Sequence, residues 1–141
     1  SGTVLGFAFN NYWHTNYKAD QPGVTAFRYS IFPHDAFDPV ANNKNALTVM
    51  QPPVIAAAGA TLRAPLSTGN DNVIVEAVLP SPLGEGVEVD LANLSGADQS
   101  VTLTLGDRCP AAYVVKDGRE LVPVSGPLHF GRYDMMRIVC K

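Results

Sequence analysis

Apolar and polar residues alternate along much of the chain with a period of two, the pattern of strands with one face inward and one in water. Val4-Leu5-Gly6-Phe7-Ala8-Phe9 reads as a strand, and Val24 to Phe32 as a second, with Phe27, Tyr29 and Ile31 opposite Arg28 and Ser30. Val73 to Leu79 is apolar on both faces and suits a central strand. Val87, Val89 and Leu91 alternate with Glu88 and Asp90, and Val101, Leu103 and Leu105 with Thr102 and Thr104. Ala111 to Val115, Leu121 to Val124 and Met135 to Cys140 follow. Gly84-Glu85-Gly86 and Asn93-Leu94-Ser95-Gly96 carry turn chemistry between these runs. Short strands spaced in this way predict an all-β fold, an antiparallel sandwich.

One helix is expected. Asp38 is a good cap, and Pro39 suits the first helical position because it has no N–H to satisfy. Asn42, Asn43 and Asn45 are poor helix formers, so the helix should run only to about Leu47.

Nine of the twelve aromatics lie in the first 37 residues, and a Pro/Ala/Gly-rich stretch from Gln51 to Gly69 follows them. This sets a boundary near residue 64. Residues 1–64 form an aromatic-rich part with the helix, and residues 65–141 a small terminal sandwich, the two able to pack as one unit.

Composition narrows the function. The 141 residues are 46% hydrophobic but only 16% charged, with a net charge of −3. That balance excludes an unstructured chain. Ten basic against thirteen acidic residues, with no basic run, argue against nucleic acid as a partner. No apolar stretch approaches the roughly 20 residues of a membrane helix. The low charge fits a piece whose apolar surface faces a neighbour.

Motifs that carry chemistry are few. There is no phosphate-binding glycine loop, no H-E-x-x-H and no G-x-S-x-G elbow. His34 with Asp35 and Asp38 could gather around a metal, but an Asp38 cap and a solvated Asp35 are the plainer reading. Glu76, Glu88 and Asp90 fall at outward strand positions, as a solvated face would. Cys109 and Cys140 fit either two reduced thiols or one bridge, and Cys140, in phase with Met136 and Ile138, reads by default as a buried free thiol. Asn93-Leu94-Ser95 matches the glycosylation acceptor pattern. The most suggestive cluster is Asn11, Tyr12, Trp13, His14 and Tyr17. Flat rings stack on the apolar faces of sugars and amides bond their hydroxyls, although such rings also serve to pack loops onto a domain.

The block Asn10-Asn11-Tyr12-Trp13-His14-Thr15-Asn16-Tyr17-Lys18-Ala19-Asp20-Gln21, followed by Thr25-Ala26-Phe27-Arg28-Tyr29-Ser30-Ile31, resembles the C-terminal β region of glycoside hydrolase family 38, the α-mannosidases. Phe37-Asp38-Pro39-Val40-Ala41-Asn42 and Gln51-Pro52-Pro53-Val54 continue the likeness. The tail, from Asn72 to Val78 and Val87 to Leu103, resembles that family's small terminal sandwich in a more generic way. The resemblance implies a retaining exo-mannosidase as parent, with an Asp nucleophile and a zinc ion held by His and Asp residues in a catalytic domain. None of those motifs occurs in this chain, so no catalytic residue carries over, and zinc belongs to the missing domain. The chain itself is then expected to be inactive and to hold no cofactor.

The implied role is support of that catalytic domain, with the rest of the mannosidase chain as partner. Strands 4–9 and 24–32 would have lost their neighbours, leaving an apolar face or sheet edge open to self-association. The rival readings are an independent carbohydrate-binding module using Tyr12, Trp13 and Tyr17, and a small hydrolase using His34, Asp35 and His129. The sequence does not fix the compartment, though the cytoplasm is favoured for a bacterial source.

Overall fold

The structure is a computed structural model, and it describes residues 2–8, 22–51, 55, 59 and 63–141. The chain divides into two compact units, Ser1–Pro33 and His34–Lys141.

Within the first unit, the described residues form no strand. This corrects the reading of residues 4–9 and 24–32, of which residue 9 lies outside the described set. The alternation is present, but an extended segment becomes a strand only by pairing its backbone with a neighbour. The two segments do approach each other, because a Cβ placed on Gly6 would lie 3.6 Å from the Tyr29 ring. Their apolar side chains nevertheless face outward: Val4 is 93% and Ile31 89% exposed.

The second unit opens with helix α1 (Pro39–Met50). Its start follows the expected chemistry, since Asp38 Oδ1 accepts hydrogen bonds from Val40 N at 2.8 Å and Ala41 N at 3.1 Å. It runs a turn further than the asparagines suggest. Asn43 donates its side-chain amide to Pro39 O at 2.9 Å, and Thr48 its hydroxyl to Asn45 O at 2.7 Å, so these side chains bond within the helix rather than against it. No residue of α1 is buried. Lys44 reaches Asp71 at 3.7 Å, and Gln51 Nε2 reaches Glu76 O at 3.4 Å.

Nine strands follow: β1 (Leu66–Ser67), β2 (Val73–Pro80), β3 (Val87–Asn93), β4 (Gln99–Val101), β5 (Thr104–Leu105), β6 (Ala112–Lys116), β7 (Glu120–Pro123), β8 (Leu128–Phe130) and β9 (Met135–Cys140). One antiparallel sheet has the order β2-β3-β9-β6-β7, while β1 pairs with β5 and β4 with β8 as two separate ribbons. The fold is all-β and sandwich-like, with one short helix. The ribbons and the large sheet share one core. Leu66, Val101, Leu128 and Phe130 come from the ribbons, and Val73, Val89, Leu91, Ala112, Ile138 and Cys140 from the sheet. Among the described residues Phe130 is the largest fully buried side chain, worth roughly 1.5–3 kcal/mol of apolar transfer.

Three sequence readings change here. Val73 to Leu79 lies at an edge, not the centre: among the described residues β2 pairs only with β3. A register shift between Val75 and Ala77 explains its two apolar faces. Directly paired residues share a face. Val73 and Val75 therefore lie on the core face before the shift, and Val78 shares the face of Val89 after it, although at that end of the strand Val78 is 46% exposed. The apparent single strand from Val101 to Leu105 is split in two. β4 pairs with β8 and β5 with β1, so the chain changes ribbon at Thr102-Leu103. Finally, Cys109 and Cys140 form a disulfide, and neither residue is exposed. The default of a free thiol judged burial correctly, but the loop before β6 brings Cys109 to the end of β9.

The glycine turn is as expected. Gly84 and Gly86 have positive φ, and Ser81 N donates to Gly86 O at 3.2 Å. A side chain on Gly86 would place its Cβ 2.1 Å from Cys140 O, so only glycine lets β3 start this close to the end of β9.

Candidate functional site

The sugar-contact candidates Asn11, Tyr12, Trp13, His14 and Tyr17 lie outside the described residues. The remaining candidates are placed. Asp38 is engaged as the α1 cap, and His34 sits edge-on to Phe37, their ring centroids 6.2 Å apart. His129 is on the exposed face of β8, opposite Ser100 of β4. They border a shallow depression of about 360 Å³ with Asp98, Gln99, Phe130 and Gly131. Among the described residues no three of His, Cys, Asp and Glu gather closely enough to hold a metal ion.

Two polar constellations emerge that sequence reasoning missed. The first is on the outer face of the large sheet. Arg137 of β9 lies directly across from Asp90 of β3. Its Nε donates to Asp90 Oδ1 at 2.9 Å and is 3.0 Å from Glu88 Oε1. Glu88 is only 5% exposed, which corrects the solvated-face reading of that residue. A carboxylate so buried needs a cation beside it, and Arg137 is the one that reaches it. The hydrogen bond and charge of Asp90, and then the charge of Glu88, hold the guanidinium above its ordinary pKa, against a small opposing effect of burial. The cluster borders a depression of about 330 Å³ with Val115, Gly118, Met135 and Met136. Its one cation already faces two carboxylates, so this arrangement stabilises the sheet rather than recruiting an anion.

The second constellation is a buried knot at the end of β3. Asn93 is 2% exposed and its side chain makes four hydrogen bonds. Its Nδ2 donates to Ala97 O and Gly131 O, each at 2.8 Å. Its Oδ1 accepts from Ser95 N at 2.9 Å and from Ser95 Oγ at 2.7 Å. Gln99 Nε2 reaches Ser95 Oγ at 3.3 Å, while its Oε1 accepts from Asn70 and Asn72. One side chain thereby ties the loop after β3 to the loop after β8. The same geometry bears on the glycosylation acceptor pattern. Both amide protons of Asn93 are engaged inside the protein, so the folded domain presents no nitrogen for a glycan. Among the described residues every buried side-chain nitrogen and oxygen has a partner.

What is unsatisfied is apolar surface. In the first unit Val4, Leu5, Phe7, Val24, Tyr29 and Ile31 are all exposed. Single exposed apolar residues are ordinary, but a run of them over two adjacent extended segments marks a surface that fits against something.

No protein-family model, curated protein or solved structure matches the chain.

Proposed function

We propose that the chain is the non-catalytic C-terminal β region of an α-mannosidase of the family 38 type, supporting a catalytic domain carried by the rest of the polypeptide. The observation that carries this reading is the exposed apolar surface of residues 2–8 and 22–33, joined to the aromatic block that resembles that family. Covering such a surface contributes about 25 cal/mol for each Å² removed from water, which favours a partner. The disulfide-tied sandwich supplies the rigidity that positioning a catalytic cleft requires.

The test has three arms. The chain, given an aryl α-mannoside and zinc, is expected to show no turnover, and turnover at enzymatic rates would end the reading. The exposed face predicts binding of a hydrophobic dye and concentration-dependent association in ultracentrifugation. A monomer that ignores the dye removes the docking argument. The coding sequence upstream of Ser1 should encode a zinc-binding catalytic domain, and a different domain there removes the mannosidase. Heat of binding to mannose oligomers that vanishes on changing Tyr12, Trp13 or Tyr17 to Ala would replace support by sugar binding.

A further inference from the structure

We infer that the Cys109–Cys140 bridge is closed on the unfolded chain, in an oxidising compartment, by thiol–disulfide exchange with a small or protein-borne disulfide donor. Both cysteines have zero exposure and belong to the same core cluster as Leu66, Leu91 and Phe130. Cys140 ends β9, which is paired on one side with β3 and on the other with β6, so that Cys140 stands between Val87 and Ala112. The chain end is tied further, since Lys141 N donates to Ala111 O at 3.1 Å. Exchange needs the attacking thiolate to meet a donor sulfur in line, and no donor reaches a sulfur sealed in this way. Exposing Cys140 means parting the last residues of β9 from β3 and β6 at once and lifting Lys141 from Ala111, and Cys109 is equally sealed in the loop before β6. In the unfolded chain the obstacle is absent. The two cysteines are 31 residues apart, and loops of that size close far faster than the seconds to hours that exchange takes.

The chemistry balances. One cysteine thiolate attacks the donor disulfide and expels one donor thiolate. The second cysteine thiolate then attacks the mixed disulfide and expels the other. The protein thiols lose two electrons and two protons, and the donor becomes two thiols. Such donors persist in the periplasm, the endoplasmic reticulum lumen and outside the cell, and not in a reducing cytoplasm. This moves the compartment away from the cytoplasm favoured for a bacterial source.

The test uses the full chain. Reduced protein, freed of reductant, is offered oxidised glutathione in buffer and in unfolding urea, quenched by alkylation and weighed by mass spectrometry, with circular dichroism reporting the fold. The folded reduced chain should close at least about 10²-fold more slowly than the unfolded one, because only an unfolded fraction of about 10⁻³ or less reacts. A reduced chain that stays unfolded until the bridge forms also supports the inference, since closure then precedes the fold. A reduced chain that is folded yet closes as fast as in urea overturns it. So does protein recovered from an oxidising compartment with two alkylatable thiols. A protein disulfide oxidase added in place of glutathione distinguishes the two donor types by which one accelerates closure.

Discussion

Replacing Asn93 by Asp is the sharpest probe of the sandwich. The change is nearly isosteric, yet it turns the donor end of the amide into an acceptor. Two carbonyls, Ala97 O and Gly131 O, lose their donor and face an anion instead. An unsatisfied buried acceptor costs about 1–3 kcal/mol. Ala97 and Gly131 are themselves exposed, so water can relieve part of this. The Ser95 bonds to the retained oxygen survive. The sum is about 2–4 kcal/mol at pH 7, a large share of the roughly 5–15 kcal/mol that holds a typical domain. Urea unfolding followed by far-ultraviolet circular dichroism should show a midpoint lower by about 1–2 M at an unchanged slope.

The pH dependence gives the argument its sign. The introduced carboxyl sits where only its protonated form can donate, so its folded pKa is raised above the usual value near 4. An acid with a raised folded pKa loses stability as pH rises through that range. The variant should therefore recover relative to the parent near pH 3.5 and lose most above pH 6. A loss under about 0.5 kcal/mol at pH 7, or one equal at both pH values, would refute the account of Asn93 as a donor.

Other outcomes follow from the same geometry. Gly86→Ala meets both a positive φ and a 2.1 Å approach to Cys140 O, and should cost about 2 kcal/mol or more in thermal or urea melts. Arg137→Leu strands the buried Glu88 beside Asp90. Discounted for the half-exposed guanidinium, the loss should be about 1–2 kcal/mol. Since the Arg137 pKa is raised, its contribution is complete below the ordinary guanidinium range and fades only above it, so the difference should stay flat from about pH 7 to 10. Glu76→Val removes the single charge from β2, at the register shift that interrupts this edge, and should raise the sedimentation-derived association of the chain.

Sequence alone read the strands whose local pattern and tertiary role agree. β3 alternates Val87, Val89 and Leu91 with Glu88 and Asp90, β6, β7 and β9 are short apolar runs bounded by turn residues, and the Asp38-Pro39 start of α1 is a purely local device. What it misread depends on distant partners. β2 looked central because the shift at Glu76 changes which residues face inward, a fact of pairing rather than of composition. Glu88 looked solvated because Arg137 stands some fifty positions further on, opposite its neighbour Asp90. β8 escaped notice because three residues, Leu128-His129-Phe130, make too short a period to register, although Phe130 fills the core. The disulfide depends on where the loop before β6 ends, which spacing does not reveal. For the site the legible part is smaller. The aromatic block stands out by composition, whereas the Asn93 knot joins a locally legible turn to the distant Gly131, Asn70 and Asn72, and the Arg137 cluster joins residues far apart in the chain.

The second layer of the sandwich is two ribbons, not a sheet. Each has only one ladder of backbone bonds, of two or three residue pairs, and relies on Leu66, Val101, Leu128 and Phe130 for its attachment. Such a layer breathes. Its amide protons should trade with solvent well before those of β3 and β9, whose strands are flanked on both sides. The second unit is thus stiff on one side and yielding on the other, and a neighbour seeking a firm footing on it would find it on the five-stranded side.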